Sequence, residues 1–490
     1  MSNRTRIGIA VAAAVVIGYP LAAWVIGFFV ERQLQAREEQ TLQQVTPYVA
    51  LIERHYQRSV FGASEVLTYG LGAPFATAFK ALPNGEALTS FRLSVRNTIH
   101  HGPFPGLKAF ALAAVDTEVV LPEDAQKRVD ALLGRRSSLA SHTSIGWLGT
   151  ARSEMSVAAF HGELFPGVTV SSGGFAGKSV SASDLSSTSG DFSAKSFAVQ
   201  NAKGAGELTD LQARVSLRRA FSTLNIGDIQ MTVASLDIHP AGDSAAAVSA
   251  QKLQLNSHSS VKGDYLDSVG ELALASVQIG KVAATDVGYR FGALHLYGPA
   301  FASLSAGMRA AAAGNLTPDP ERTKQYQDKL QAVFEKDGVE LLLHEPVIDI
   351  PKIGFKIPEG EMRLSAKFTA PGLKRADFQG TMQATTAAVA QHLQVTADLR
   401  VDTGLLEKLT QNNPNADRFA AQARALEGQG YITQDGNALM THIAFDRGQL
   451  TLNGKPFPPT PGAGGMGPGG GPAPPGPPLP PRPQGPPRPR

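Results

Sequence analysis

The chain has 490 residues, long enough for two or three ordinary domains or for one extended β-protein. A net charge of +3 with no cluster of Lys and Arg excludes the usual electrostatic footprint of nucleic-acid binding. The absence of cysteine excludes a disulfide framework, thiol catalysis and Cys-based zinc sites.

In chain order, residues 1–6 form a short basic leader with Arg4 and Arg6, and Ile7 to Val30 then runs for 24 residues without a charge. As a helix this run would be roughly 36 Å long, against a hydrocarbon core of about 30 Å. It is expected to be a single transmembrane helix, with Pro20 relaxing one backbone bond near its middle. The flanking charges put the N-terminus in the cytoplasm and the rest outside, by the positive-inside rule. A cleaved signal peptide fits less well, because the apolar run continues through Trp24, Val25, Ile26, Phe28 and Phe29, beyond the usual 7–15 residues.

Residues 31–56 carry Leu34, Leu42, Val45, Val49 and Ile52 at roughly helical spacing and predict a helical stalk. From residue 57 to 455 the period changes to two. Phe91 to Arg96, Met362 to Phe368 and Leu393 to Val401 alternate apolar and polar side chains, the pattern of half-buried strands. Looser runs include Leu211 to Leu217, Ile229 to Val233, Leu253 to Leu255 and Leu450 to Leu452, with Gly, Asn, Asp or Pro between them. Helical segments are expected only at Pro122 to Leu133, Ala300 to Ala313, Pro318 to Asp337 and Thr403 to Leu426, the last broken at Pro414. In the third, Tyr326, Leu330, Val333 and Phe334 form a stripe expected to pack on the sheet.

So few helices argue for an antiparallel rather than a parallel sheet. The expected fold is mainly β (α+β): a transmembrane helix and helical stalk, then a long curved antiparallel β-sheet with a few packed helices, with room for two subdomains. Ser171 to Phe197, rich in Ser, Gly and Ala, predicts a thin, exposed or edge-like part of that sheet. Residues 456–490 are almost all Pro, Gly and Ala, and are expected to form a disordered tail.

No motif reads as catalysis. Ser172 to Ser179 has the Gly-Lys-Ser of a phosphate loop but Ser172 where the pattern needs glycine. His100 and His101, adjacent at a strand end, should face opposite ways and so not chelate one metal. No Gly-x-Ser-x-Gly elbow or His-Glu-x-x-His pair occurs, and no cofactor is expected. The distinctive local signal is His101-Gly102-Pro103-Phe104-Pro105, a rigid turn with Phe104 placed to fill an apolar site.

With these features the chain resembles the YdgA-like family of bacterial inner-membrane-anchored envelope proteins, a domain of unknown function. The resemblance rests on the anchor, Tyr56 with Phe61 soon after it, the His101 to Pro105 motif, and a closing hairpin through Gly448, Gln449, Leu450, Thr451, Leu452, Asn453 and Gly454. It extends to Lys455 and leaves out the tail. The family pattern has glycine where this chain has Ser59 before Val60 and Phe61, a departure that bears on the turn there. The resemblance implies an inner-membrane location with the bulk of the chain in the periplasm, and it transfers no catalytic residues.

The expected function is a non-catalytic envelope protein, tethered to the bilayer through residues 7–30, that binds or guides lipid or another apolar ligand along a β-sheet groove. The alternatives are a self-associating scaffold or regulator of another envelope protein, with a second copy or that protein as partner, and an unrecognised periplasmic hydrolase.

Overall fold

The computed structural model describes the chain from Asn3 to Phe457, apart from residues 46–48, 73–91, 108–109, 121–122, 124–126, 129, 132–139, 166, 222, 243–245, 313–319, 381 and 411–415; within the first helix, side chains are described from Tyr19. The expected disordered tail and most of the expected helix at 122–133 lie outside the described residues.

Helix α1 spans Asn3–Val45 with Pro20 inside it. The strands that follow are β1 (Val49–Arg58), β2 (Gly62–Leu71), β3 (Arg92–His101), β4 (Ala113–Val120), β5 (Ala140–Ile145), β6 (Ala151–Val157), β7 (Phe160–Phe165), β8 (Val168–Ser172) and β9 (Phe175–Ser181). Six long strands come next: β10 (Ser187–Asn201), β11 (Gly204–Ala220), β12 (Leu224–Pro240), β13 (Val248–Lys262), β14 (Tyr265–Ile279) and β15 (Val282–Tyr297). Then come helices α2 (Gly298–Ala312), α3 (Pro320–Val333) and α4 (Val339–Leu343), with a π-helical turn at Phe334–Gly338 between the last two. The chain closes with β16 (Val347–Ile357), β17 (Gly360–Thr369), α5 (Met382–His392), β18 (Gln394–Asp402), α6 (Thr403–Thr410), α7 (Ala416–Gly428), β19 (Thr433–Asp435), β20 (Ala438–Asp446), β21 (Gln449–Leu452) and β22 (Lys455–Pro456).

All 22 strands among the described residues join one sheet, and every pairing is antiparallel, mostly between chain neighbours. The chief exception is β7–β8, which folds aside so that β9 pairs with β6, while β10 pairs with β9 along its first half and with β8 along its second. An antiparallel meander of this kind needs only short turns, which explains the scarcity of helices. Two of these turns are two-residue loops with both central residues at positive φ: Arg447-Gly448 (49° and 78°) and Asn453-Gly454 (49° and 75°). That is the turn type whose twist suits a hairpin, and glycine or asparagine adopts it at little cost.

The structure corrects four sequence expectations. Of the described residues of the expected stalk, 31–45 are helical and 49–56 belong to β1, because Arg54, Tyr56 and Arg58 share one face and pair with Leu67, Glu65 and Ala63 of β2. The Ser/Gly/Ala-rich stretch is no edge, since β10 is flanked on both sides; its backbone ladder is complete whatever its side chains bury. Helix α3 packs on α2 rather than on the sheet: Val333 lies so close to Gly307 that a Cβ there would sit 2.8 Å from it, and Phe334 is left exposed. Helix α5 has no counterpart among the expected helices; its run of Ala and Thr gives little periodicity.

Two cores hold the sheet. Val30 of α1 packs with Ala63, Ile99, Ala113, Val115, Ile145 and Ala151 at the N-terminal end. Ile226, Leu266 and Leu296 form the second, under Phe301 of α2 and Leu341 of α4. Leu405 of α6 is fully buried beside β17 and β18.

Candidate functional site

Directly paired residues on neighbouring antiparallel strands share a face, so the register can be followed across the whole sheet. One row starts at Tyr56 and runs through Glu65, Asn97, Thr117 and Ser141. It continues as Met155, Gly177, Phe192, Ala213, Met231, Leu255, Leu272, Tyr289, Ile353, Leu364 and Leu399, ending at Thr441. The row is polar on its first five strands and apolar from Met155 to Leu399. At about 4.8 Å per strand, the apolar part spans roughly 48 Å.

None of these apolar side chains is fully buried; they are half-buried, and Tyr289 is exposed. Beside the row, Ser153, Met155, Phe192, Ala213 and Val215 line a depression of ≈ 320 Å³. The other face is charged. Glu154 pairs with Lys178 (3.2 Å), Asp191 with Arg214 (2.8 Å) and Glu271 with Arg290 (2.8 Å), all cross-strand and largely exposed. From β6 to β15 the sheet is thus amphipathic.

Helix α1 covers only the polar beginning of the row. Its Ala23 and Val30 are fully buried, while Leu21, Trp24, Val25, Phe28 and Phe29 are exposed, so one helical stripe faces the sheet and the opposite stripe faces away. Beneath it, the carboxylate of Glu65, 3% exposed, accepts two bonds from Arg54 (2.9 and 2.7 Å) and one from Asn97 (2.8 Å), whose own carbonyl accepts from Thr117 (2.8 Å). Glu38 of α1 closes the cluster on Arg54 at 3.5 Å, and burial raises its pKa. Burial, with the charges of Glu31 and Glu65, likewise pushes the Tyr56 hydroxyl up to about 12. Further along α1, Arg37 donates to the carbonyls of Gly149 (2.8 Å) and Ala182 (2.9 Å) and to the Ser181 hydroxyl (3.0 Å).

The His101 to Pro105 motif is where α1 meets the sheet. His101, 1% exposed, lies 2.9 Å from the Ala23 carbonyl through Nδ1, and its ring fills the space above Gly27. Burial lowers its pKa, aided by the charges of Arg58 and His100. His100 does turn to the other face, beside Gly106. Gly102, at φ 123°, brings the backbone against the Ala23 methyl, and Pro105 is fully buried. Phe104, between Pro103 and Pro105, fills no apolar site: its ring is 47% exposed and contacts Phe110, which in turn contacts Trp147. Its carbonyl accepts a 3.0 Å bond from Tyr19 instead.

The remaining motif residues are also structural. Phe61 stacks on Tyr19 at 5.8 Å, and the turn before it closes without glycine because the Ser59 hydroxyl bonds the Gly62 carbonyl at 2.9 Å. Asn453 accepts from the His442 N–H (2.8 Å) and donates to the Tyr431 carbonyl (3.0 Å), while Gly448 and Gly454 complete their turns. The docking role of His101 was signalled in part by Ala23-x-x-x-Gly27, a pair of small residues one turn apart that lets a neighbour approach a helix closely.

Among the described residues no group of His, Asp or Glu could hold a metal ion. Asp116–His142, Asp228–His258 and Asp398–His442 each lie at 2.7 Å, but they are exposed cross-strand pairs on the charged face. Phe175–Ser181, which contains the Gly177, Lys178 and Ser179 of the imperfect phosphate loop, is strand β9, so no helix follows them whose N-terminus could point at a phosphate. Among the described residues, no helix is long and apolar enough to cross a membrane; side chains 7–18 of the expected span lie outside that description.

No curated protein and no solved structure matches the chain. The model of a family described as a bacterial protein of unknown function, DUF945, matches residues 1–460, and the chain belongs to that family.

Proposed function

We propose that this is a non-catalytic envelope protein of the YdgA-like type, tethered to the bacterial inner membrane by residues 7–30 with its sheet in the periplasm, whose apolar face binds or guides lipid or another apolar ligand. The observation that carries the reading is the row from Met155 to Leu399: ten of its eleven strands present apolar side chains in register, with Gly177 on the other, and none is fully buried. An apolar strip of this length left partly open to water is costly and characteristic of a binding surface. Acyl chains suit it, since it offers apolar contact without converging polar groups that would select a compact polar ligand.

Position supports the same reading. The row begins under α1, whose N-terminal half is the uncharged run from Ile7, and its apolar part starts five strands further on and leads away from the helix. Native mass spectrometry of the full chain, extracted from membranes in mild detergent, tests this. Copurifying lipid lost on substitution within the row supports it; a consistently lipid-free protein that does not take up added phospholipid refutes it.

A second copy laid over the same open face is the competing occupant, in keeping with a scaffold role. Crosslinking in membranes separates the two, because dimer contacts through Met231 or Leu255 would leave no room for an acyl chain there.

A further inference from the structure

The hairpin ends beside α1 carry a second apolar surface, distinct from the row. Phe104 and Phe110 lie in the β3–β4 connection and are 47% and 67% exposed; Trp147 and Leu148, in the β5–β6 turn, are 42% and 90% exposed. In a meander these two connections emerge at the same end of the sheet as the β1–β2 turn. Phe104, Phe110 and Trp147 are in ring contact, with centroids 5.5 and 5.0 Å apart. This rim is clamped to α1 at two places. The Tyr19 hydroxyl donates to the Phe104 carbonyl, and Gln33 and Arg37 both donate to the Gly149 carbonyl next to Leu148 (3.2 and 2.8 Å).

These clamps conflict with a free transmembrane span. Crossing the hydrocarbon takes about 20 apolar residues. Before the first clamp at Tyr19, the run from Ile7 to Gly18 supplies only 12, roughly 18 Å as a helix. A span beginning at Ile7 must therefore include Tyr19 to about Ile26, the part of α1 against which the Phe104 loop and His101 are packed. Either α1 leaves the sheet or the rim enters the bilayer with it. The outward stripe of α1 favours the second: Leu21, Val25 and Phe29 are 59%, 47% and 64% exposed, and they need an apolar surrounding while the helix stays docked.

We propose that the Phe104, Phe110, Trp147 and Leu148 rim is a membrane-inserting surface that sinks into the same lipid leaflet as the docked part of α1, so that the sheet sits on the bilayer and does not stand off on a stalk. Phenylalanine and leucine partition into the acyl region, and tryptophan sits at its polar boundary. The rim holds the near end of the sheet at the depth from which acyl chains would leave. This inference rests on the membrane tether of the proposed function.

The absence of native cysteine allows a direct test with the full chain reconstituted in nanodiscs of phosphatidylethanolamine and phosphatidylglycerol. Leu148→Cys, Phe110→Cys, Ala12→Cys and, at the far end of the sheet, Lys203→Cys each carry an environment-sensitive fluorophore, read with spin-labelled lipid as quencher. Phe110, Leu148 and Lys203 are exposed positions that a label does not unfold. The expected result is blue-shifted, lipid-quenched emission at 12, 110 and 148 and aqueous emission at 203. A shielded label at 12 with aqueous labels at 110 and 148 overturns the rim and leaves the tether standing. Aqueous labels at all four positions overturn both.

Discussion

His101 Nδ1 lies 2.9 Å from the backbone carbonyl of Ala23, with 78 residues of chain between them, and the ring occupies the space that a side chain at Gly27 would need. The His101 to Pro105 motif thus locks the first helix to the first part of the sheet. A Cβ at position 27 would fall 2.7 Å from the imidazole Cε1 and 2.9 Å from Nε2.

Gly27→Val should therefore loosen α1 from the sheet. Overpacking of this kind costs about 1–3 kcal/mol, and the cost falls on docking, since β-branching hardly affects an already apolar helix. Hydrogen exchange should show faster exchange in α1 beyond Tyr19 and in the Gly146 to Gly149 turn, with β11 to β14 unchanged. Equal protection in both proteins would mean that the His101–Gly27 contact does not hold the helix.

The same imidazole makes docking sensitive to pH. Burial holds its folded pKa below the ordinary value of about 6.5, so the folded state keeps it neutral while the unfolded chain binds a proton near that value. Its contribution is complete above about pH 6.5 and is lost as pH falls toward the depressed folded value. Denaturant titrations at about pH 8 and about pH 5 should show a steeper acid loss in the native chain than in His101→Gln, which cannot titrate. Parallel losses would assign the acid sensitivity to other groups.

Glu65 is a buried carboxylate, and Arg54 is its charged partner. Arg54→Ala leaves that charge uncompensated at about 3–5 kcal/mol, whereas Glu65→Gln keeps one acceptor oxygen for Arg54, loses the one that Asn97 uses, and should cost less because Arg54 retains Glu38 as a charged partner. In Arg54→Ala/Glu65→Gln much of the single-variant loss should return, which a double-mutant cycle by urea denaturation would measure. Additive losses would show that the two side chains act independently.

Much of the sheet was legible because its strands alternate. Leu393 to Val401 shows the pattern, and β18 is there at Gln394–Asp402. The long central strands were fainter, since small or polar residues hold apolar-face positions: Gly190, Ser257 and Gly270 stand in one row with Val215 and Ile229. The stalk was extended too far because Val49 and Ile52 continue a helical spacing by chance, while the pairing of Tyr56 with Glu65 is non-local and leaves no mark in the local pattern. Phe104 was misread for a related reason: a loop aromatic between prolines can face in or out, and here His101 and Pro105 already fill the interior. The apolar row itself was the least visible, because it exists only once the register of eleven strands is fixed.

Neighbours 230 and 231 separate the two faces of that row most sharply. Gln230 pairs with Arg214 and Asn256 on the charged face, while Met231 pairs with Ala213 and Leu255 on the apolar one. Met231→Glu puts a carboxylate midway along the strip, where a lying acyl chain would have to desolvate it. It should reduce copurifying lipid by about tenfold or more, the equivalent of 1.4 kcal/mol. Gln230→Glu makes a similar charge change one residue away, opposite Arg214, and should leave bound lipid unchanged. Both sites are at least partly open to solvent, so neither variant should unfold the sheet, and circular dichroism would verify this. Equal lipid content in the two variants would mean that ligand, if any, lies elsewhere; loss in Gln230→Glu alone would move the site to the charged face.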